Sequence, residues 1–580
     1  MANIPETKLA VQTEPWQQRV CNLLYGHNVN HATKAKARVG IIIVAFVAVY
    51  ATIAARLVFF ATGPQNQIVR VGSLQERTTT GRPDIVDRNG EIIAIDVLAP
   101  SLFASPRKII DPDEATELLT AVLPDLDARE LHELLGTKRG FIWIKRGITS
   151  SQQQEIHRLG LPGVGFKTEN KRVYPNGPLV SHEIGHVNID NQGIAGIEKW
   201  LDGQGLSALH MAGLTTDRLQ KPIELALDLR VQHAMREELI FAIDKYKAKA
   251  AAGIVANVRT GEIVSMVSLP DYDPNSPKLA NDPQRINRLT TGVYEMGSTF
   301  KALTLAMGLD SGKYTLTSML DARGSLRYGK FSIGDTHNLN RMLSLPEVFT
   351  YSSNIGAARM AVSLGVDYHK TFLKKLGQLN RLLTELPENA EPIVPKRWDE
   401  LSTATIAYGH GLSVAPLQAV MGISALVNGG LLIPPTFMRR SEEEARAVGM
   451  QVMKPETSEK MRYLMRLNVE KGTATRADVK GYYIGGKTGT SEKVVDGRYS
   501  KTKMLTTFTA ILPADRPRYQ VLIILDEPQG LRETNGSTNS GWNAAPTAHN
   551  VIARIAPMLG IAPRFDLPPA DQMILAKARP

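Results

Sequence analysis

The chain has 580 residues, 43% of them hydrophobic and 22% charged, which is enough apolar material for roughly two to four packed domains and excludes a disordered or low-complexity chain. The net charge is +11, but Lys and Arg are spread along the sequence with no basic run interleaved with aromatics, which argues against a nucleic-acid-binding protein and leaves a membrane surface or an acidic polymer as the counterpart. The single cysteine, Cys21, excludes an intrachain disulfide and a Cys-rich metal site; it lies in a polar N-terminal tail and reads as incidental.

That tail, residues 1–38, ends on Lys34, Lys36 and Arg38, immediately before the uncharged run VGIIIVAFVAVYATIAA at 39–55. With RLVFFAT the run continues to Thr62 and approaches the roughly 20 residues that span a bilayer. The one-sided basic flank predicts a single transmembrane anchor over 39–62 with a cytoplasmic N-terminus and the rest of the chain outside the cytoplasm.

Residues 63–220 read as a mixed module. GRPDIVDRNGEIIAIDV at 81–97 predicts a β-hairpin with a type I′ turn at Asn89-Gly90. The stretch 111–136 has helical spacing and acidic caps, and is interrupted at Pro124. His182-Glu183-Ile184-Gly185-His186 matches the zinc-protease pattern H-E-x-x-H, which needs both histidines on one face of a helix. Gly185 stands inside the motif, Pro175 and Pro178 precede it, a strand-like segment follows, and no third ligand is obvious, Glu198 lying 12 residues past His186. Histidines that pack or hydrogen-bond are the expected reading.

A linker-like stretch around 214–223 leads to the main domain, 221–565, followed by a short tail, 566–580. The domain opens with an amphipathic helix at 231–250 and a strand, Thr-Gly turn and strand at 252–270. YEMGSTFKALTLAMGLDSG at 294–312 predicts a buried helix between Gly297 and Gly312, with Ser298 at its N-terminus and Lys301 one turn on. That spacing lets the amine take the proton of the hydroxyl, and burial lowers a lysine pKa far enough for this. Ser105 to Lys108 and Ser500 to Lys503 share the S-x-x-K spacing, but neither opens an apolar helix.

Two further pieces follow in order. YSSNIGAARMA at 351–361 supplies Ser352-x-Asn354 ahead of a helix, and YYIGGKTGTSEKVV at 482–495 supplies Lys487-Thr488-Gly489-Thr490 on a strand. Asp496-Gly497 falls in a turn, and 504–512 and 519–528 read as partner strands. Gly489 would let a substrate lie against its strand. Each piece occurs by chance, as Ser537-Thr538-Asn539 shows, but the ordered set S-x-x-K, S-x-N, K-T-G belongs to penicillin-binding proteins and serine β-lactamases.

The chain resembles a class B penicillin-binding protein, specifically the division-specific (septal) peptidoglycan D,D-transpeptidase. DIVDRNGEIIA (84–94), RVYPNG (172–177), GIAGIE (193–198), YGHGLSVAPLQA (408–419) and GTATRA (472–477) extend the likeness over most of 40–560. Met296 stands where Pro is more common, and Arg82-Pro83 where Arg-Gly is usual. The resemblance implies a multidomain α+β architecture: an anchor, an elongated pedestal or dimerisation-like module, and a β-lactamase-like domain with an antiparallel sheet flanked by helices. It implies that Ser298 is the nucleophile and Lys301 its base. Ser352 would relay protons, Asn354 would bond the donor stem, and Lys487 would set the electrostatics. Thr488 and Thr490, with Gly489, would hold the terminal carboxylate, and the backbone N–H groups of Ser298 and Thr490 would form the oxyanion hole. Ser298 would open the D-Ala-D-Ala bond, and an amine of a neighbouring stem would take the acyl group; β-lactams would mimic the donor, and a D,D-carboxypeptidase side activity is compatible. No cofactor or metal is implied. The implied partners are peptidoglycan stem peptides, the inner membrane, a polytopic glycosyltransferase of the SEDS type and other membrane division proteins. The alternatives are the elongation-specific relative and a non-catalytic membrane-anchored β-lactam-binding scaffold or sensor. His410, in YGHGLS, is expected to be a structural loop residue.

Overall fold

The computed structural model describes Trp16 and residues 31–62, 81–204, 221–336, 339–495 and 497–575. Cys21, most of the connection expected at 214–223, and Asp496 lie outside the described residues. The chain divides into two compact units, Met1–Arg77 and Thr78–Pro580.

In the first unit, helix α1 runs His31–Thr62. Among the side chains described in it, over 39–55 without 41, Ile43, Phe46 and Tyr50 are more than half exposed. Among the described residues no helix is long and apolar enough to cross a membrane. At ~1.5 Å per residue the described apolar stretch is a few ångströms short of a bilayer core of about 30 Å.

The second unit begins with a sheet in which Ile85–Val86 pairs antiparallel with β1 (Ile92–Ala104) and parallel with Ile223–Glu224, while β1 also pairs with β2 (Ile142–Lys145) and β3 (Val164–Val173). The expected hairpin is there, with a different turn. Gly90 N–H donates to Asp87 O, and Asp87 N–H to Glu91 O. Only Gly90 has positive φ (85°), so Asn89 does not adopt the left-handed conformation that a type I′ turn demands. Asp87 explains this: its carboxylate accepts from the Asn89 and Glu91 N–H groups and fixes the tighter geometry. The acidic region forms two helices, Pro112–Val122 and Ala128–Leu135, capped by Asp111 and Asp127 and broken at Pro124 as expected.

Helix α2 (Gly196–Gly203) carries Glu198, which has no exposed surface. Arg82 and Arg172 both bind that carboxylate, at 2.8 and 2.6 Å, and reach on to Asp202 and Asp96. Glu198 is therefore committed to two guanidinium groups. In the H-E-x-x-H segment the helix spans only Ser181–Ile184 and stops at Gly185 (φ 72°); His186 lies in a strand, so the two histidines share no helical face. Both rings instead pack edge-on against Tyr272. Burial pushes the Glu183 carboxyl up to about 8 and the His182 imidazole down to about 4, which leaves both neutral near pH 7.

The larger part is a five-stranded antiparallel sheet in the order β6 (Gly485–Val495), β7 (Arg498–Leu512), β8 (Tyr519–Asp526), β4 (Ala250–Asn257), β5 (Ile263–Leu269). Strands β4, β5 and β8 are almost wholly buried, so they read as continuous apolar runs. One face is covered by α3 (Leu229–Tyr246) and α7 (Ala544–Met558), which share a core with Val255, Phe508 and Ile523. On the other side of the sheet a second core joins it to α4 (Lys301–Asp310), α5 (Asn354–Leu364) and α6 (Pro455–Lys471). This second core continues into Ile85, Tyr174, Ile184 and Ile197, so the N-terminal sheet and the main sheet share one hydrophobic interior.

Candidate active site

Three elements bring the sequence-derived residues together. The first is the turn that opens α4. Gly297–Phe300 forms a single 3-10 turn, and the α-helix begins at Lys301, later than the sequence pattern suggests. Gly297 has φ 53°, and a Cβ there would lie 2.6 Å from the carbonyl oxygen of Thr490, so only glycine lets this turn press against β6.

The second element is the loop before α5. Ser352 adopts φ 58°, a conformation that costs a non-glycine residue of order 1–3 kcal/mol and is common where geometry serves a site. Ser353 caps α5, and Asp335 holds both: one carboxylate oxygen accepts from Ser353 Oγ at 2.6 Å and the other from Ile355 N–H at 3.0 Å. Asn354 Nδ2 donates to Gly334 O at 2.9 Å.

The third element is β6. Lys487 has no exposed surface and Lys301 almost none. Lys301 Nζ lies 3.0 Å from Ser298 Oγ, 3.0 Å from Ser352 Oγ and 2.7 Å from Asn354 Oδ1, and it also donates to Ser352 O. Lys487 Nζ lies 3.0 Å from Ser352 Oγ, so this hydroxyl bridges the two amines. Desolvation holds the Lys301 amine well below the usual lysine range, the Lys487 charge adds to this, and Asp335 opposes it. Desolvation brings Lys487 down to about 7. Thr488 Oγ1 pairs with Thr473 Oγ1 at 2.6 Å, and Thr490 Oγ1 accepts from Ser540 N–H at 3.1 Å.

Gly489 stands in β6 for a reason other than the one read from the sequence. A Cβ at this position would meet Thr507 Oγ1 and the carbonyl of Met296, not open space. The missing side chain makes room for the nucleophile turn. Asp335, just after the hairpin of Leu326–Tyr328 and Phe331–Ile333, carried no motif signal, and Thr473 lies within GTATRA but was not singled out as a site residue. His410 is mostly buried against Tyr408 and Tyr499, and burial lowers its pKa to about 4. Neither Ser105 nor Ser500 takes part in this arrangement: Ser105 precedes a short 3-10 turn and Ser500 bonds within its own hairpin.

A serine hydroxyl, a desolvated amine in reach of it, a bridging hydroxyl and a second buried cation together suit acyl transfer through a serine ester.

The penicillin binding protein transpeptidase domain matches residues 251–553, and the penicillin-binding protein dimerisation domain matches 77–204. The chain is 40% identical over 506 residues to the probable peptidoglycan D,D-transpeptidase FtsI of Caulobacter vibrioides, covering 86% of this chain and 84% of that one. It is 28% identical over 536 residues to peptidoglycan D,D-transpeptidase FtsI of Escherichia coli, covering 86% and 88%. A peptidoglycan synthetase from Bifidobacterium adolescentis shares the fold with a TM-score of 0.65 at 21% identity, over 85% of this chain and 98% of that one. So does penicillin binding protein 3 of Mycobacterium tuberculosis, in a crystal structure complexed with aztreonam, with a TM-score of 0.64 at 22% identity, again over 85% and 98%.

Proposed function

The chain belongs to the class B penicillin-binding proteins, the peptidoglycan D,D-transpeptidases, and from that premise we propose how its own residues divide the reaction. The enzyme cross-links stem peptides at the division septum through a serine acyl-enzyme and is a target of β-lactams. The observation that carries the assignment of roles is the set of contacts around Lys301 Nζ.

Ser352 O and Asn354 Oδ1 can only accept, so they take the two N–H bonds of a neutral amine. Its lone pair is then left for a hydroxyl. The Ser298 O–H donates to it, and Ser298 Oγ attacks the carbonyl of the penultimate D-Ala as Lys301 takes the proton. The tetrahedral oxyanion accepts from the backbone N–H groups of Ser298 and Thr490. Ser352 Oγ, in reach of both amines, then takes that proton from Lys301 as it gives its own to the departing D-Ala nitrogen, and the C–N bond breaks. An amine on a second stem then attacks the ester, its proton returns by the same route, and Ser298 is released. Protonated Lys487 places positive charge beside Ser352, and Thr488 and Thr490 seat the terminal carboxylate of the donor.

The domain division we propose is a pedestal over 63–220 and a transpeptidase domain over 221–565, with tails at 1–38 and 566–580. We assign 39–62 as a single-pass inner-membrane anchor, N-terminus in the cytoplasm and catalytic domain outside. The uncharged run and the exposed apolar side chains of α1 support this reading. A transpeptidase without a polymerase domain needs newly made glycan, so a SEDS-type glycosyltransferase is the proposed membrane partner. Replacing 39–62 with an unrelated anchor should weaken copurification with that polymerase; undiminished copurification would remove the helix from the interface.

The reaction is tested with purified protein, a stem pentapeptide ending in D-Ala-D-Ala and an amine acceptor. Release of D-Ala with a cross-linked product, absent in Ser298→Ala, is expected. Turnover by Ser298→Ala would end the assignment.

A further inference from the structure

Glu295 lies on the N-terminal side of the nucleophile turn, and the reaction as described leaves it without a task. Its Oε1 accepts from Gly411 N–H at 2.7 Å and from the Tyr499 hydroxyl at 2.9 Å. Its Oε2 is buried and has no hydrogen-bond partner. Burial raises its pKa, opposed only by those two neutral donors; no cation contributes. Beside it, the Nδ1 atom of His410 is also buried and unpartnered, with its ring 5.8 Å from that of Tyr499. Native structures seldom leave buried polar atoms unpaired, and a group of them around Glu295, three residues from the nucleophile, points to a ligand that completes them.

The direction of the donor peptide says which part of it would arrive there. Its terminal carboxylate is assigned to Thr488 and Thr490, and its scissile carbonyl to Ser298 and the Thr490 N–H. The donor therefore runs antiparallel to β6, and residues preceding the D-Ala pair lie further along the strand, ~3.4 Å per residue. The next β6 residue, Ser491, donates from its Oγ to the carbonyl of Glu295 at 2.6 Å, and Tyr499 pairs across the hairpin with Val494. Glu295 thus stands at the next step along the donor.

We propose that Glu295 is a specificity-determining residue that receives the free ammonium of the diamino acid preceding D-Ala-D-Ala in the donor stem. This rests on the transpeptidase reading above. An ammonium brings three donors and a charge, so it can replace the Tyr499 hydroxyl on Oε1 and also satisfy Oε2. Tyr499 sits near the hairpin tip and is 47% exposed, which gives it room to turn away. A donor whose amine is already acylated, as in a stem that has been cross-linked, brings no charge and is discriminated against.

The test uses two depsipeptide donors, each ending in Lys-D-Ala-D-lactate, identical except that the lysine amine is free in one and acetylated in the other. The second-order rate of Ser298 acylation is measured for both, at low salt, with wild type, Glu295→Gln and Tyr499→Phe. Wild type should prefer the free amine by on the order of 10-fold. Glu295→Gln should bring the ratio close to one, and Tyr499→Phe, which keeps the carboxylate, should retain the preference. Because the readout is a ratio of two substrates on one protein, a general loss of folded or active enzyme cancels. An equal ratio in wild type, or a preference that survives in Glu295→Gln, overturns the proposal while the transpeptidase reading stands. If neither donor acylates wild type, the reading falls and the proposal with it.

Discussion

Lys301 Nζ has four oxygen neighbours, and two of them are carbonyl oxygens with no proton to give. That environment selects the free amine only if burial has lowered its pKa, which the absence of exposed surface and the facing Lys487 both favour. The sign for activity follows: as pH falls through the lowered pKa, Lys301 gains a proton and ceases to be a base. The acid limb of the acylation rate should therefore lie far below the ordinary lysine value near 10.5. A stopped-flow pH profile checks this, and a limb near pH 10 would contradict it. Asp335 acts one step further out, through Ser353 and Ile355. Asp335→Asn loses charge-assisted bonds worth roughly 1.5–3 kcal/mol, so Ser352 should leave its strained conformation more readily. Acylation should fall on the order of 10-fold. A variant that acylates at the wild-type rate would show that the Ser352 loop holds itself. Ser298, Lys301, Ser352, Asn354 and Lys487 were legible because each lies in a short motif whose spacing carries chemistry. Asp335 was not, because its contribution depends on a hairpin that returns to the loop from a separate stretch of chain.

At the level of elements, apolar periodicity was enough to read the helix-and-hairpin opening of the main domain and the strands that carry K-T-G. The errors are local and have local causes. Asn89-Gly90 resembles a type I′ turn in sequence, but the Asp87 carboxylate competes for its backbone donors and pulls the turn one residue earlier. The H-E-x-x-H match dissolves because a motif that needs a helix ends at Gly185. Gly489 shows that a glycine signals close approach without saying what approaches; here it is the nucleophile turn. Glu198 ties α2 to β3 and to the chain before β1 through two buried arginines. Deleting one member of such a network strands the other charges in a low-dielectric interior. Glu198→Ala should destabilise the second unit by about 3–5 kcal/mol, read as a lower denaturant midpoint. A loss under 1 kcal/mol would mean that water reaches the two guanidinium groups.

For the molecule as a whole, the motifs led to the transpeptidase domain after a dimerisation-like module, but the continuity of the Thr78–Pro580 unit could not be read from them. Ile85, Tyr174 and Ile197 share one hydrophobic interior with Leu303 and Leu522, residues far away in sequence, and no periodicity announces such a contact. The central claim remains a chemical one: this chain forms an ester on Ser298. Intact-protein mass spectrometry after incubation with a penicillin, wild type beside Ser298→Ala and with peptide mapping, tests it most directly. The account predicts one added penicilloyl group in wild type, mapped to the peptide containing Ser298, and none in the variant. An adduct that persists in Ser298→Ala, or a wild type that takes none, would contradict it.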